Sequence, residues 1–141
     1  MTIGKKTFTR SLWVYHLGTG SCNNCDIEIL DCLTPRFDIE RFGMVLVGSP
    51  RHADVLLVTG NMTLKNIPRV KRVYEQMAKP GWVVAIGTCS LDHGIFRESY
   101  VAPQKVCEIL PVDVYVPGCP PKPEAIILGM AQLISKIQKQ S

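Results

Sequence analysis

A doubly wound parallel α/β sheet is the fold this sequence predicts, and three observations predict it. Strand-like segments rich in β-branched and aromatic residues alternate with segments of helical pattern. The most apolar of the strands, D-V-L-L-V-T at 54–59, has an unbroken apolar middle, which suits a parallel strand covered on both faces. Three loops that carry cysteine each directly follow such a strand. In an open α/β sheet those loops share the carboxyl edge, where ligands bind.

The elements follow in order. Residues 11–17, S-L-W-V-Y-H-L, are rich in β-formers and predict the first strand. Gly18, Gly20, Ser21, Asn23 and Asn24 then supply turn chemistry. Residues 26–33 predict a short helix that stops before Pro35, because the residue before proline disfavours helix. Residues 43–47 and 54–59 predict the second and third strands. Residues 66–78 predict a helix, with Pro68 tolerated in its first turn. Its apolar stripe is Ile67, Val70, Val73, Tyr74 and Met77, and Arg69, Lys71 and Arg72 lie off it. Pro80-Gly81 ends it. Residues 82–86 predict the fourth strand, 103–109 a short helix and 112–116 the fifth strand. The last helix is predicted over 123–138, with Glu124 in its first turn and Lys136 and Lys139 near its end, as the helix dipole favours. No internal repeat, low-complexity tract or linker interrupts the pattern, so residues 1–141 are expected to form one domain.

Composition narrows the function classes. The chain has 141 residues, 46% hydrophobic and 20% charged, ordinary for a domain with a real core. The net charge is +4. The basic residues are spread out: Lys5, Lys6, Arg10, Arg36, Arg41, Arg51, Arg69, Lys71 and Arg72. They are not interleaved with aromatics and carry no nucleic-acid motif, so a solvated surface with partner contacts is expected, and no nucleic acid. Residues 1–10 are polar and basic and lack the apolar stretch of a signal peptide. The longest strongly apolar run, 125–134, is shorter than the about 20 residues of a bilayer span. A membrane link is therefore expected only through another protein.

The cysteines carry the chemistry. Six in 141 residues fall short of a secreted disulfide scaffold and suit a reducing compartment with a metal site. Cys22 and Cys25 form a C-x-x-C turn after strand one, Cys89 sits in G-T-C after strand four, and Cys119 in P-G-C-P-P after strand five. Gly20, Gly87 and Gly118 flank them and let backbone approach a bulky cofactor. Four thiolates converging on a sheet edge suit a [4Fe–4S] cluster. Three other readings stand beside it: a structural zinc site, a thioredoxin-like pair that leaves Cys89 and Cys119 unused, and four ordinary buried cysteines. Cys32 and Cys107 fall within predicted helices and are expected to pack in the core. Two cysteines cannot hold a second four-cysteine cluster, so electrons would have to pass to or from other chains.

Five motifs then resemble a known family: G-S-C-N-N-C-D-I-E at 20–28, L-T-P-R-F-D-I-E-R-F-G at 33–43, G-S-P-R-H-A-D-V-L-L-V-T-G at 48–60, G-T-C at 87–89 and D-V-Y-V-P-G-C-P-P-K-P-E-A-I at 113–126. They resemble the small subunit of group 4 membrane-bound [NiFe] hydrogenases, the energy-converting hydrogenase and formate hydrogenlyase type. That small subunit is in turn similar to the chain that bears the terminal cluster of respiratory complex I. The resemblance covers about residues 11–135. It implies a flavodoxin-like fold without flavin, and Cys22, Cys25, Cys89 and Cys119 as ligands of one proximal [4Fe–4S] cluster. It implies an electron relay between a ferredoxin-like two-cluster subunit and the NiFe centre of a separate hydrogenase-type large subunit. Integral membrane subunits would complete the complex, with this chain peripheral on the cytoplasmic face of the cell membrane.

The C-x-x-C spacing, where complex I relatives usually carry adjacent cysteines, favours the hydrogenase side. Larger hydrogenase small subunits have an added cluster domain, which this sequence to Ser141 lacks, as the resemblance to group 4 subunits implies. A complex I-like or sulfane sulfur reductase module without nickel is the alternative. The resemblance gives Glu28 a place near the large subunit and a role in proton movement; the residue pattern alone makes it, with Asp26, a first-turn carboxylate favoured by the dipole. Asp38, Glu40 and Arg41 either pair across an interface or stand solvated. One stretch departs from the family: Ser90-Leu91-Asp92-His93-Gly94 stands where relatives often have small residues and a Gly-Gly pair. Asp92 and His93 either tune the cluster or form an exposed loop pair.

Overall fold

The structure, a computed structural model, describes residues 11–139. Lys5, Lys6, Arg10 and the polar start at 1–10 lie outside the described residues. Five strands form one parallel sheet: β1 (Leu12–Gly18), β2 (Met44–Leu46), β3 (Val55–Thr59), β4 (Trp82–Ile86) and β5 (Val114–Val116). Their order is β2-β1-β3-β4-β5, the flavodoxin-like winding. Registers pair Val14 with Val55, Val55 with Trp82 and Val84 with Val114, so the strand ends share one carboxyl edge.

The helices are α1 (Asn24–Asp31), α2 (Ile67–Gln76), α3 (Thr88–Asp92), α4 (Val106–Ile109) and α5 (Pro123–Lys139). Alternation along the strands sends side chains to both faces. Val55 and Leu57 of β3 pack with Ile29 of α1 and Ile126, Met130 and Leu133 of α5. Leu56 and Val58 pack on the other face with Val70, Val73 and Met77, along the stripe of α2, and with Val106 of α4. Every residue of β3 and β4 is buried, as strands covered on both sides must be.

The structure corrects several sequence expectations. The first helix begins at Asn24, two residues earlier than predicted, so Cys25 lies in its first turn and Glu28 in its second. The helix predicted over 103–109 shrinks to the single turn of α4. Val106 and Leu110, four apart, take its inward positions, and Cys107 is exposed rather than packed. Cys32 is buried as expected, at the end of α1.

Candidate metal centre

All four predicted ligands lie on loops or first turns at the carboxyl edge. Cys22 sits in the loop after β1, with Asn23 in the left-handed region at φ 69°, a conformation asparagine tolerates. The Ile27 amide donates to the Asn23 carbonyl at 3.0 Å and begins α1. Cys25 is buried against the core, while Cys22 and Cys119 are exposed and Cys89 half-buried. Cys89 follows Gly87, whose φ is +87°, and opens α3. A Cβ on Gly87 would lie 2.6 Å from Cys25 Sγ, so the backbone before Cys89 is pressed against a ligand from another loop of the sheet edge. Thr88 ties the Cys89 loop to the Cys119 loop: its amide donates to the Gly118 carbonyl at 2.8 Å and its hydroxyl to the same oxygen at 3.0 Å.

Electrostatics reflect how near the thiols stand to one another. Burial first, and then the nearby Cys22 and Cys89 sulfurs, the Asp26 carboxylate and the Cys119 sulfur, push the Cys25 thiol up to about 11. Cys89 is raised for the same reasons, burial first and then Cys119 and Cys22. Sulfurs that oppose one another's ionisation in this way are relieved by bound cations. Among the described residues no three His, Cys, Asp or Glu side chains form a group that could hold a metal ion. The four thiols are nevertheless close enough to feel each other's charge. The donor set fits the cluster.

Cys32 stands outside this group. Burial pushes its thiol up to about 11, with Asp31 and Glu28 adding to the effect, and its Sγ donates to the Glu28 carbonyl at 3.3 Å. Glu28 is half-buried on α1. Arg41 lies over the Phe42 ring, 4.9 Å from its centroid.

Of the two readings left open for Asp92 and His93, the exposed pair does not hold for His93. It is 4% exposed, its Nδ1 has no hydrogen-bond partner, and its φ of 60° ends α3. Its amide donates to the Cys89 carbonyl at 3.1 Å. The left-handed backbone is where glycine is easiest, which is the physical content of the departure at this position. Asp92 is ion-paired with Arg97 and Lys105.

Sequence reasoning passed over His16 and Thr59, which meet Asp26 beneath the C-x-x-C loop. The available signal was a histidine in an otherwise apolar strand.

The profile of the family described as NADH ubiquinone oxidoreductase, 20 Kd subunit, matches residues 22–133. A probable membrane-bound hydrogenase subunit of Pyrococcus furiosus, mbhJ, is 54% identical over 95% of this chain and 80% of its own length. One of the subunits of the F(420)H(2) dehydrogenase of Methanosarcina mazei is 44% identical over 91% of this chain and 68% of its own length. Among solved structures, a chain of the membrane-bound sulfane sulfur reductase, an archaeal respiratory membrane complex, superimposes with a TM-score of 0.86. It is 36% identical, and the match covers 97% of this chain and 76% of that one.

Proposed function

This chain belongs to the family of the NADH ubiquinone oxidoreductase 20 Kd subunit, whose relatives named above are subunits of oxidoreductases, and from that membership we propose a specific role. It is the electron-relay subunit of a membrane-bound multisubunit [NiFe] hydrogenase, holding one proximal [4Fe–4S] cluster on Cys22, Cys25, Cys89 and Cys119. The observation that carries the proposal is that the loops bearing these four cysteines meet at the carboxyl edge of the sheet, with Thr88 bonded to the Gly118 carbonyl and Gly87 pressed against Cys25 Sγ. Bound there, the cluster supplies a one-electron redox centre.

The chain's own residues do the rest. The four thiolates bind, Gly87 admits the approach of Cys25, and Thr88 locks two ligand loops together. Electrons would enter from a ferredoxin-like two-cluster subunit and leave to the NiFe centre of a hydrogenase-type large subunit. Exposed Ile27, Leu30, Ile95, Phe96 and Tyr100 on α1 and the loop after α3 support a partner covering this region. No helix among the described residues is long and apolar enough to cross a membrane. The proposed role places the chain peripherally, on the cytoplasmic face, held through integral membrane subunits.

A second reading, a sulfane sulfur reductase or complex I-like module without nickel, is favoured by the close superposition on the sulfane sulfur reductase chain. It keeps the cluster and changes the partner's chemistry.

The test is the complex purified without oxygen. It should hold this cluster, and Cys119→Ser in this chain should remove or convert it, lowering iron by about four atoms per complex. Cys32→Ser and Cys107→Ser should leave the iron unchanged. The reverse pattern would overturn the ligand set. Nickel in the partner separates the two readings. Glu28 is proposed to move protons near the large subunit. Glu28→Gln should lower turnover more than tenfold, about 1.4 kcal/mol of barrier, with the cluster spectrum intact. Unchanged turnover would return Glu28 to the surface of α1.

A further inference from the structure

Beneath the C-x-x-C loop lies a polar knot that the relay reading does not use. Thr59, fully buried at the end of β3, donates its hydroxyl proton to Asp26 Oδ1 at 2.6 Å. His16 Nε2, from β1, lies 3.0 Å from the same Oδ1 and 3.1 Å from Thr59 Oγ1. The three groups close a ring. Its base is fixed from below, because the Thr59 carbonyl accepts both the amide (3.0 Å) and the hydroxyl (2.7 Å) of Thr19. The ring sits where β1 meets β3, the point at which a sheet of this winding reverses and ligands collect.

Three features separate this knot from ordinary packing. An apolar trio would hold a helix against a sheet at least as well as three polar groups taken out of water. What hydrogen bonds add is direction. The element they direct is the first turn of α1, because Asp26 immediately follows Cys25. Finally, the two other ligand loops are tied to each other through Thr88 and Gly118, whereas this knot hydrogen-bonds the first turn of α1 to β1 and β3.

We infer that His16 and Thr59 are positioning residues for the metal centre: through Asp26 they fix where Cys25 stands and where the adjacent carboxylate points relative to a bound cluster. The inference rests on the cluster reading above. It assigns no ligand role to either residue. Their effect on the redox centre is indirect, through the geometry of one ligand and the placement of one carboxylate, and hydrogen bonding and charge around the sulfurs are what set such potentials.

The experiment uses the assembled complex, purified without oxygen, carrying Thr59→Val, Thr59→Ser, His16→Ala or His16→Gln in this chain. Iron content, the paramagnetic resonance spectrum of the reduced cluster and its midpoint potential are read at one fixed pH. Thr59→Val keeps the shape and removes the donor; Thr59→Ser keeps the donor. Expected is a changed spectrum and a shifted potential in Thr59→Val and His16→Ala, with Thr59→Ser and His16→Gln returning toward the parent. Parent spectra and potentials in Thr59→Val and His16→Ala would overturn the inference. So would equal damage in the conservative and non-conservative variants, which would mark simple packing. A parent complex in which Cys119→Ser changes neither iron nor spectrum would instead overturn the cluster reading itself.

Discussion

Gly87 shows how closely one residue can bind local backbone to the metal centre. At φ +87° and ψ 153° the backbone is in a region that is essentially glycine's alone, and any side chain there is strained by about 1–3 kcal/mol. A Cβ would also come within 2.6 Å of Cys25 Sγ. Gly87→Ala should therefore cost more than the backbone strain alone and should lower cluster occupancy. Thermal unfolding and iron content check both; an alanine variant with full iron would mean the loop can shift without moving Cys25. Asp92 offers a pH handle. Hydrogen bonds from Lys105 and then Arg97 hold its carboxyl below the usual carboxylate range. A lowered folded value means stability that is present above the unfolded value of about 3.9 and lost as pH falls through the lower one. Asp92→Asn should flatten the acid limb of the melting temperature below about pH 4, more so at low salt, since the pair is exposed. At this scale the four ligand cysteines were legible because each stands in a Gly or Pro loop after a strand. His93 was not: a charged-looking loop gives no sign that its ring turns inward, and only the backbone conformation at the end of α3 explains it.

Elements were legible where hydrophobic pattern is strong and blurred where it is short. β4 was read at its observed bounds because five apolar residues are flanked by Gly81 and Gly87. α3 was missed, since Thr88-Cys89-Ser90 reads as loop chemistry and five residues are too few for a helical period to show. Its Ser90 hydroxyl folds back onto the Ile86 and Gly87 carbonyls, which starts the turn by side-chain bonding rather than by pattern. α5 poses a propensity question. Gly129 sits in its interior, where glycine is less favourable than alanine by about 1 kcal/mol. The reason is contact: a Cβ there would meet Val116 Cγ2 of β5 at 2.4 Å. Gly129→Ala should thus destabilise despite the better helix former, by about 1–3 kcal/mol of overpacking. Because β5 leads into the Cys119 loop, the same variant should perturb the cluster spectrum; denaturant titration and that spectrum check it. A more stable Gly129→Ala would show that α5 can slide away from the sheet.

At the scale of the whole molecule, a parallel doubly wound sheet was legible from alternation, and its flavodoxin-like order was what the family resemblance implied. Which faces remain open was not, because composition counts apolar residues without saying where they emerge. Ile95 is 91% exposed and Tyr100 89%, on the segment that follows Cys89 and α3. Phe96 and Val101 are exposed beside them, and Leu64 is exposed on the segment whose amide bonds the Val101 carbonyl. Large apolar side chains grouped in this way are costly in water, and in the proposed complex they would be the surface a partner covers. Obligate interfaces of this kind commonly bury more than about 2,000 Å². The chain produced alone should therefore associate with itself at micromolar concentration. Ile95→Lys with Tyr100→Lys should make it monomeric, since two charges replace the two most exposed apolar groups of the patch. The same pair of substitutions should stop it co-purifying with the rest of its complex, because the charges would then have to be buried. Light scattering after gel filtration and recovery of the tagged complex read the two outcomes. A parent chain that is monomeric alone, together with a lysine variant that still assembles, would show that this edge is not the covered one.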